Sequence, residues 1–150
     1  MVDELVVIKE IGFSDYVVLE KFLHNAGRSL SSFRYFDTRP ISVIENHYVT
    51  AVLVSNGAAI GYGHLDKDND NDVVWLGIAI SEMAIGKGFG KLMMSFLVTK
   101  ADEMNFPCIS LTVDKNNTKA IRLYEYLGFL YVRDINEQVQ LMERNLNLQG

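Results

Sequence analysis

Apolar residues recur along nearly the whole chain, from Leu5 to about Leu146, and no low-complexity tract or linker interrupts them. One domain over residues 1–150 is therefore expected. Residues 5–11 form a β-branched-rich apolar run and read as a first strand. Ser14 then offers an N-cap; Val18, Leu19, Phe22 and Leu23 share one helical face, and Gly27 stops the helix. Residues 30–45, with FRYF at 33–36 and Pro40, carry no clean period and are expected to be short helix and loop. The strongest local signal follows: apolar runs at 47–55 and 58–65 separated by Asn56-Gly57, which demands a type I′ hairpin between antiparallel strands.

The polar run at 66–72 makes the next turn, leading into a strand over 73–80. Apolar residues at 89, 92, 93, 96, 97 and 101 predict a helix over 89–104; Pro107 ends the connection and 109–113 is a buried strand. A second helix is predicted over 119–127, with Ala120, Leu123, Tyr124 and Leu127 on one face and Gly128 at C′. Alternating strands at 129–134 and 139–142 close the chain. This order predicts an α/β (α+β) domain, a mixed sheet with helices on its faces.

Composition narrows the function classes. With 150 residues, 49% hydrophobic and only 2 Pro, the chain is long enough for a self-sufficient core. Cys108 is its single cysteine, so no internal disulfide forms. Nineteen acidic against fourteen basic residues leave a net charge of -5, which works against binding a phosphate backbone, so no nucleic acid partner is expected. The N-terminus carries two acids before a short apolar run, unlike a secretory signal. No stretch approaches the ~18 apolar residues of a membrane span. No membrane partner is expected, and the cytoplasm is the default location.

The segment IAISEMAIGKGFGKLMM at 78–94 places Gly86, Gly88 and Gly90 between a buried strand and an amphipathic helix. Glycines let a ligand approach the backbone, the first helical N–H groups are unpaired, and the macrodipole favours negative charge there. Lys87 and Lys91 add positive charge. A Walker loop would need Gly at 85 and Ser or Thr at 92, where Ile85 and Leu92 stand. The spacing GxGxG also fails the dinucleotide fingerprint. Taken alone, the glycines serve equally well as a tight, closely packed loop.

A second motif changes that balance. LTVDKNNTKAIRLYEYLGF at 111–129, together with IGKGFG at 85–90, closely resembles the paired signatures of the GNAT superfamily of acetyl-CoA-dependent N-acetyltransferases. The resemblance implies a single GNAT-like domain whose mostly antiparallel mixed sheet splays between strands 4 and 5. The family's first signature is (Gln/Arg)xxGx(Gly/Ala); Gly88 and Gly90 match it, with the common extra glycine at Gly86. The backbone from Gly86 through Lys87, Gly88 and Phe89 to Gly90, beside Lys91, is then expected to hold the pyrophosphate of acetyl-CoA. Ile85 stands where the family usually has Gln or Arg, which removes a side-chain contact but no backbone donor. The resemblance places pantetheine against the backbone near Ile78 and Ile80. It gives Asn117 to the cofactor arm and Tyr124 to the thioester sulfur.

Acetyl transfer to an amine needs a neutral amine, stabilisation of an oxyanion and a proton for the departing thiolate. Tyr124 suits the last task, since a phenol of pKa about 10 can donate to a thiolate of comparable basicity. A backbone N–H near Ile80 would serve the oxyanion. The base is the open element. Relatives carry a carboxylate at positions held here by Thr112 or by Trp75, Leu76 and Gly77. His64, expected to share a face with Tyr62 and Ile60, is the candidate proton acceptor. His47 and Glu45 are lesser candidates, and a strand histidine serves as readily for structural hydrogen bonding.

FRYF with Arg39 is a candidate acceptor wall, or simply aromatics sealing the core edge. Asp66, Asp68 and Asp70 mimic a calcium loop, but Asn71 replaces its glycine and Gly77 its glutamate, so a solvated turn is expected and no metal. Cys108 reads as a small buried hydrophobe, which disfavours an acetyl-cysteine intermediate and favours direct attack in a ternary complex. The expected activity is transfer of acetyl from acetyl-CoA to a primary amine. A small-molecule acceptor is favoured: an amino sugar, a polyamine or an amino acid derivative. The alternatives are a protein N-terminus or lysine as acceptor, a catalytically silent acyl-CoA-binding module, or a purely structural domain. Nothing in the chain sets its oligomeric state, and a homodimer is allowed.

Overall fold

A computed structural model describes residues 6–27, 33–67 and 73–145. Seven strands form one sheet: β1 (Val6–Glu10), β2 (His47–Ser55), β3 (Ala58–Lys67), β4 (Val74–Ile80), β5 (Cys108–Asp114), β6 (Leu130–Asp134) and β7 (Val139–Asn145). Their spatial order is β1-β2-β3-β4-β5-β7-β6. The β4–β5 pair is parallel and the other pairs are antiparallel. Helices α1 (Tyr16–Asn25), α2 (Phe89–Glu103) and α3 (Thr118–Tyr126) cover the faces. This is the single mixed α/β domain expected. No helix among the described residues is long and apolar enough to cross a membrane.

The β2–β3 hairpin turns through Asn56 and Gly57 with φ of 51° and 84°, the positive values a type I′ turn requires. Within it, Leu53 pairs with Gly61 but Val54 pairs with Ala59, so Ile60 is an extra, bulged residue. The bulge turns Ile60 toward the α2 layer while Tyr62 faces the α1 layer. The expectation that Ile60 shares a face with Tyr62 and His64 therefore fails for Ile60.

Two apolar layers result. On one side Leu19 and Phe22 of α1, with Ala26 at its C-cap, pack on Val52, Tyr62 and Ala79. On the other, Met93, Met94, Leu97 and Ala101 of α2 pack on Ala51, Leu53, Leu65 and Leu76. A Cβ at Gly63 would fall 2.7 Å from the Met93 sulfur, so α2 lies directly on the β3 backbone. That docking rotates α2 relative to the predicted face: Leu92 is exposed, and Met94 and Val98 are buried. Ser14 is not a cap. It sits inside a 3-10 turn (Phe13–Asp15), and α1 starts after Asp15, whose carboxylate accepts from the Gly12 N–H at 3.4 Å.

The feature that makes a site is the parting of β4 and β5. They pair only at Val74–Ile109 and Trp75–Ser110. Beyond that, β4 stays on β3 as far as Ile80, and β5 stays on β7 as far as Asp114. Held by different neighbours, the two strands splay and leave the backbone between them unpaired.

Candidate active site

The loop from β4 to α2 begins with two backbone ties, Ser81 N–H to the Ile60 carbonyl at 2.8 Å and Glu82 N–H to the Ala26 carbonyl at 2.9 Å. After a short 3-10 turn (Glu82–Ala84), the chain passes through Gly86 and Gly88 with φ of 88° and 84°. These left-handed positions are why glycine is needed there. Gly88 is the N-cap of α2, so the N–H groups of the first turn have no helical partner. A Cβ built on Gly86, Gly88 or Gly90 would meet nothing within 4 Å, so this backbone faces open space. The arrangement can accept a diphosphate on main-chain donors at a positive helix end.

The open space is a cleft of about 420 Å³. Of the nine predicted cofactor residues, Ile78, Ile80, Gly86, Gly88, Phe89, Gly90, Lys91 and Asn117 line it. Lys87 is exposed on the loop and is not on the cleft wall. Asn117 caps α3, its Oδ1 accepting from the Ala120 N–H at 3.3 Å, which leaves its amide N–H groups for a ligand. The exposed Ile85 stands on the cleft rim.

A second cavity of about 400 Å³ opens on the other side of the splay, and the two share Ile78, Asn117 and Tyr124. Tyr124, 8% exposed, therefore stands at their junction. Burial pushes its pKa up to about 12, which keeps the phenol protonated.

His64 lines the second cavity and is 2% exposed. Its Nδ1 lies 2.6 Å from the Tyr62 hydroxyl. Its Nε2 lies over Gly77, directly opposite in register, where any Cβ would collide with the ring. Burial, then neighbouring His47, hold His64 well below the usual imidazole pKa. His47 is sealed behind Tyr35, its Nε2 2.7 Å from the Tyr35 hydroxyl and its Nδ1 2.8 Å from Thr50 Oγ1. Burial lowers its pKa to about 4 against the opposing pull of Asp66. Glu45 is exposed on the 3-10 turn Ile41–Asn46 and lines neither cavity.

The 33–39 segment does form a wall of the second cavity, through Phe33, Arg34, Tyr35 and Arg39. Arg34 pairs with Asp114 at 3.5 Å, and the Arg39 guanidinium lies 4.4 Å over the Tyr35 ring. Asp66 is the residue that sequence reasoning missed. It lies within β3 rather than in a turn and lines this cavity, while Asp68 and Asp70 fall outside the described residues. The available signal was the two-residue alternation that puts Asp66 on the face of Tyr62 and His64. Cys108 lines neither cavity. Its half-buried thiol donates to Glu143 Oε2 at 3.7 Å, and burial raises its pKa.

Comparison with known proteins agrees with this geometry. Residues 16–129 match the acetyltransferase (GNAT) family. A spermine/spermidine N(1)-acetyltransferase of Bacillus subtilis is 35% identical over 112 residues, covering 66% of this chain and 73% of that protein. A ribosomal-protein-S18-alanine N-acetyltransferase from Escherichia coli superposes with a TM-score of 0.75 at 20% identity, covering 97% of both chains. A structure from Salmonella typhimurium, described with its cofactor acetyl-CoA, superposes at 0.78 and 17% identity, covering 97% of this chain and 96% of the other. The chain belongs to the GNAT family and is an acetyl-CoA-dependent N-acyltransferase.

Proposed function

We propose that this enzyme acetylates a primary amine of a small molecule, with polyamines the favoured class, by direct attack in a ternary complex. The observation that carries the reading is the meeting of two cavities at Ile78, Asn117 and Tyr124. One has the glycine-lined helix start suited to a diphosphate; the other has a polar, aromatic wall suited to an amine. Acetyl-CoA would lie along Ile78 and Ile80, with its pyrophosphate on the Gly86–Gly90 backbone, Lys91 beside it and Asn117 on its arm. Lys87 would act only through its charge at the loop.

The amine nitrogen attacks the thioester carbon, a C–N bond forms, and the C–S bond breaks. Tyr124 gives its proton to the departing sulfur. The nitrogen loses a proton, for which His64 Nε2 is the nearest imidazole acceptor over Gly77. That role requires the ring hydrogen on Nδ1, donated to the Tyr62 oxygen, with the Nε2 lone pair facing the pocket. The depressed pKa of His64 keeps the ring neutral at neutral pH, with one nitrogen free to accept. Spermine and spermidine in the relatives' names support a polyamine acceptor.

The test is thiol release from acetyl-CoA with a panel of polyamines, amino sugars, amino acid derivatives and a peptide bearing a free N-terminus and a lysine. Polyamines are expected to give the highest kcat/KM. Preference for the peptide, or coenzyme A binding without release across the panel, would overturn the reading.

A further inference from the structure

We propose that Asp66 anchors a second, non-reacting ammonium of the acceptor, so that the pocket selects diamine segments whose far nitrogen lies two strand residues from His64. The inference rests on the acetyl-transfer reading above and adds to it the residue and the spacing.

His64 and Asp66 point to the same face of β3, and both line the acceptor cavity. Two residues of extended strand span about 6.7 Å, close to the separation of nitrogens joined by about four methylenes. Asp66 is held by a one-way chain of hydrogen bonds. The Tyr35 hydroxyl donates to Asp66 Oδ2 at 2.6 Å. With that single proton committed, the Tyr35 oxygen can only accept, so His47 Nε2–H donates to it at 2.7 Å. His47 Nδ1 is then an acceptor, and the Thr50 hydroxyl donates to it at 2.8 Å. The His47 side chain has no exposure, so the chain is fixed at its root.

Every donor in this chain is used, and it ends on one oxygen of the carboxylate. Asp66 Oδ1 is 3.8 Å from His47 Nε2, beyond hydrogen-bond length. Among the described residues no lysine or arginine pairs with Asp66. Arg34 is engaged by Asp114, and Arg39 stacks on Tyr35 while donating to its carbonyl at 3.0 Å. The Asp66 side chain is only 19% exposed, where a charge-assisted bond is worth more than at a free surface. Trp75, opposite Asp66 in register, brings an aromatic side chain to the same cavity. A second, independent sign of a ligand is the buried His64 ring, whose Nε2 makes no hydrogen bond among the described residues and lies at the other end of the same span.

The test compares butane-1,4-diamine with butylamine in the intact protein, by thiol release and by calorimetry in the presence of coenzyme A. Wild type is expected to favour the diamine by about 30-fold or more in kcat/KM, with weaker preference for hexane-1,6-diamine. Asp66→Asn should reduce that preference to about threefold or less, chiefly by raising KM for the diamine. Tyr35→Phe, which keeps the carboxylate but frees it from the chain, should give an intermediate loss and covers the case in which Asp66→Asn fails to fold. An unchanged diamine-to-monoamine ratio in either folded variant would overturn the anchor. If wild type acetylates neither amine, the polyamine-acceptor reading falls. The anchor is then judged by calorimetry: it stands if diamine binding depends on Asp66 and falls if it does not.

Discussion

At the scale of single residues, burial assigns protonation states around the junction of the two cavities. Tyr124 is buried and keeps its proton to about pH 12, which suits the proton donor proposed above. His47 and His64 are pushed the other way, and the fold favours their neutral forms. The unfolded chain takes up these protons near pH 6.5, whereas folded His47 does so only near about 4. Between those values the unfolded state binds more protons, so stability present above pH 6.5 is lost as the pH falls toward 4. The thermal midpoint of wild type should drop more steeply between pH 7 and about 4.5 than that of His47→Gln, which does not titrate there. Parallel curves for the two proteins would contradict this account of the buried imidazoles.

At the scale of elements, the loop entering α2 has the most consequential geometry. Gly88 both caps the helix and holds a left-handed φ of 84°. Alanine there costs about 1–2 kcal/mol in local strain and projects a methyl into the open side of the loop. Gly88→Ala is therefore expected to weaken acetyl-CoA binding by about tenfold in a calorimetric titration. Unchanged affinity would remove the loop from the cofactor site.

Much of this element structure was legible because its causes are local. Asn56-Gly57 fixes its hairpin through the φ values of two residues, and the Gly86–Gly90 loop announces itself by composition. What escaped depends on partners distant in sequence. The bulge at Ile60 exists only as a register between two strands, and the exposure of Leu92 follows from how α2 docks onto Gly63. Asp66 was hidden by its acidic neighbours, which suggested a turn, although β3 continues to Lys67. Gly77 carried no signal at all; its role appears only when His64 is seen lying across it.

At the scale of the molecule, the site exists because one sheet is held from two sides. β3 keeps β4 on course and β7 keeps β5, so the gap between them is part of the resting fold. Arg144 on β7 ties the surrounding helices together. Its guanidinium forks onto Asp102 of α2 at 2.8 and 3.2 Å, and its Nε donates to the Leu127 carbonyl after α3 at 2.9 Å. Tyr124 is thereby carried on a helix braced against its neighbours, at the place where the two cavities meet. A preformed gap and a braced phenol suit the direct transfer in a ternary complex proposed above.

The most direct test is steady-state thiol release by Tyr124→Phe at saturating polyamine, with acetyl-CoA affinity measured in parallel. The account predicts that kcat falls by about 100-fold while the Kd for acetyl-CoA stays within about twofold of wild type. A kcat equal to that of wild type, with binding intact, would contradict it.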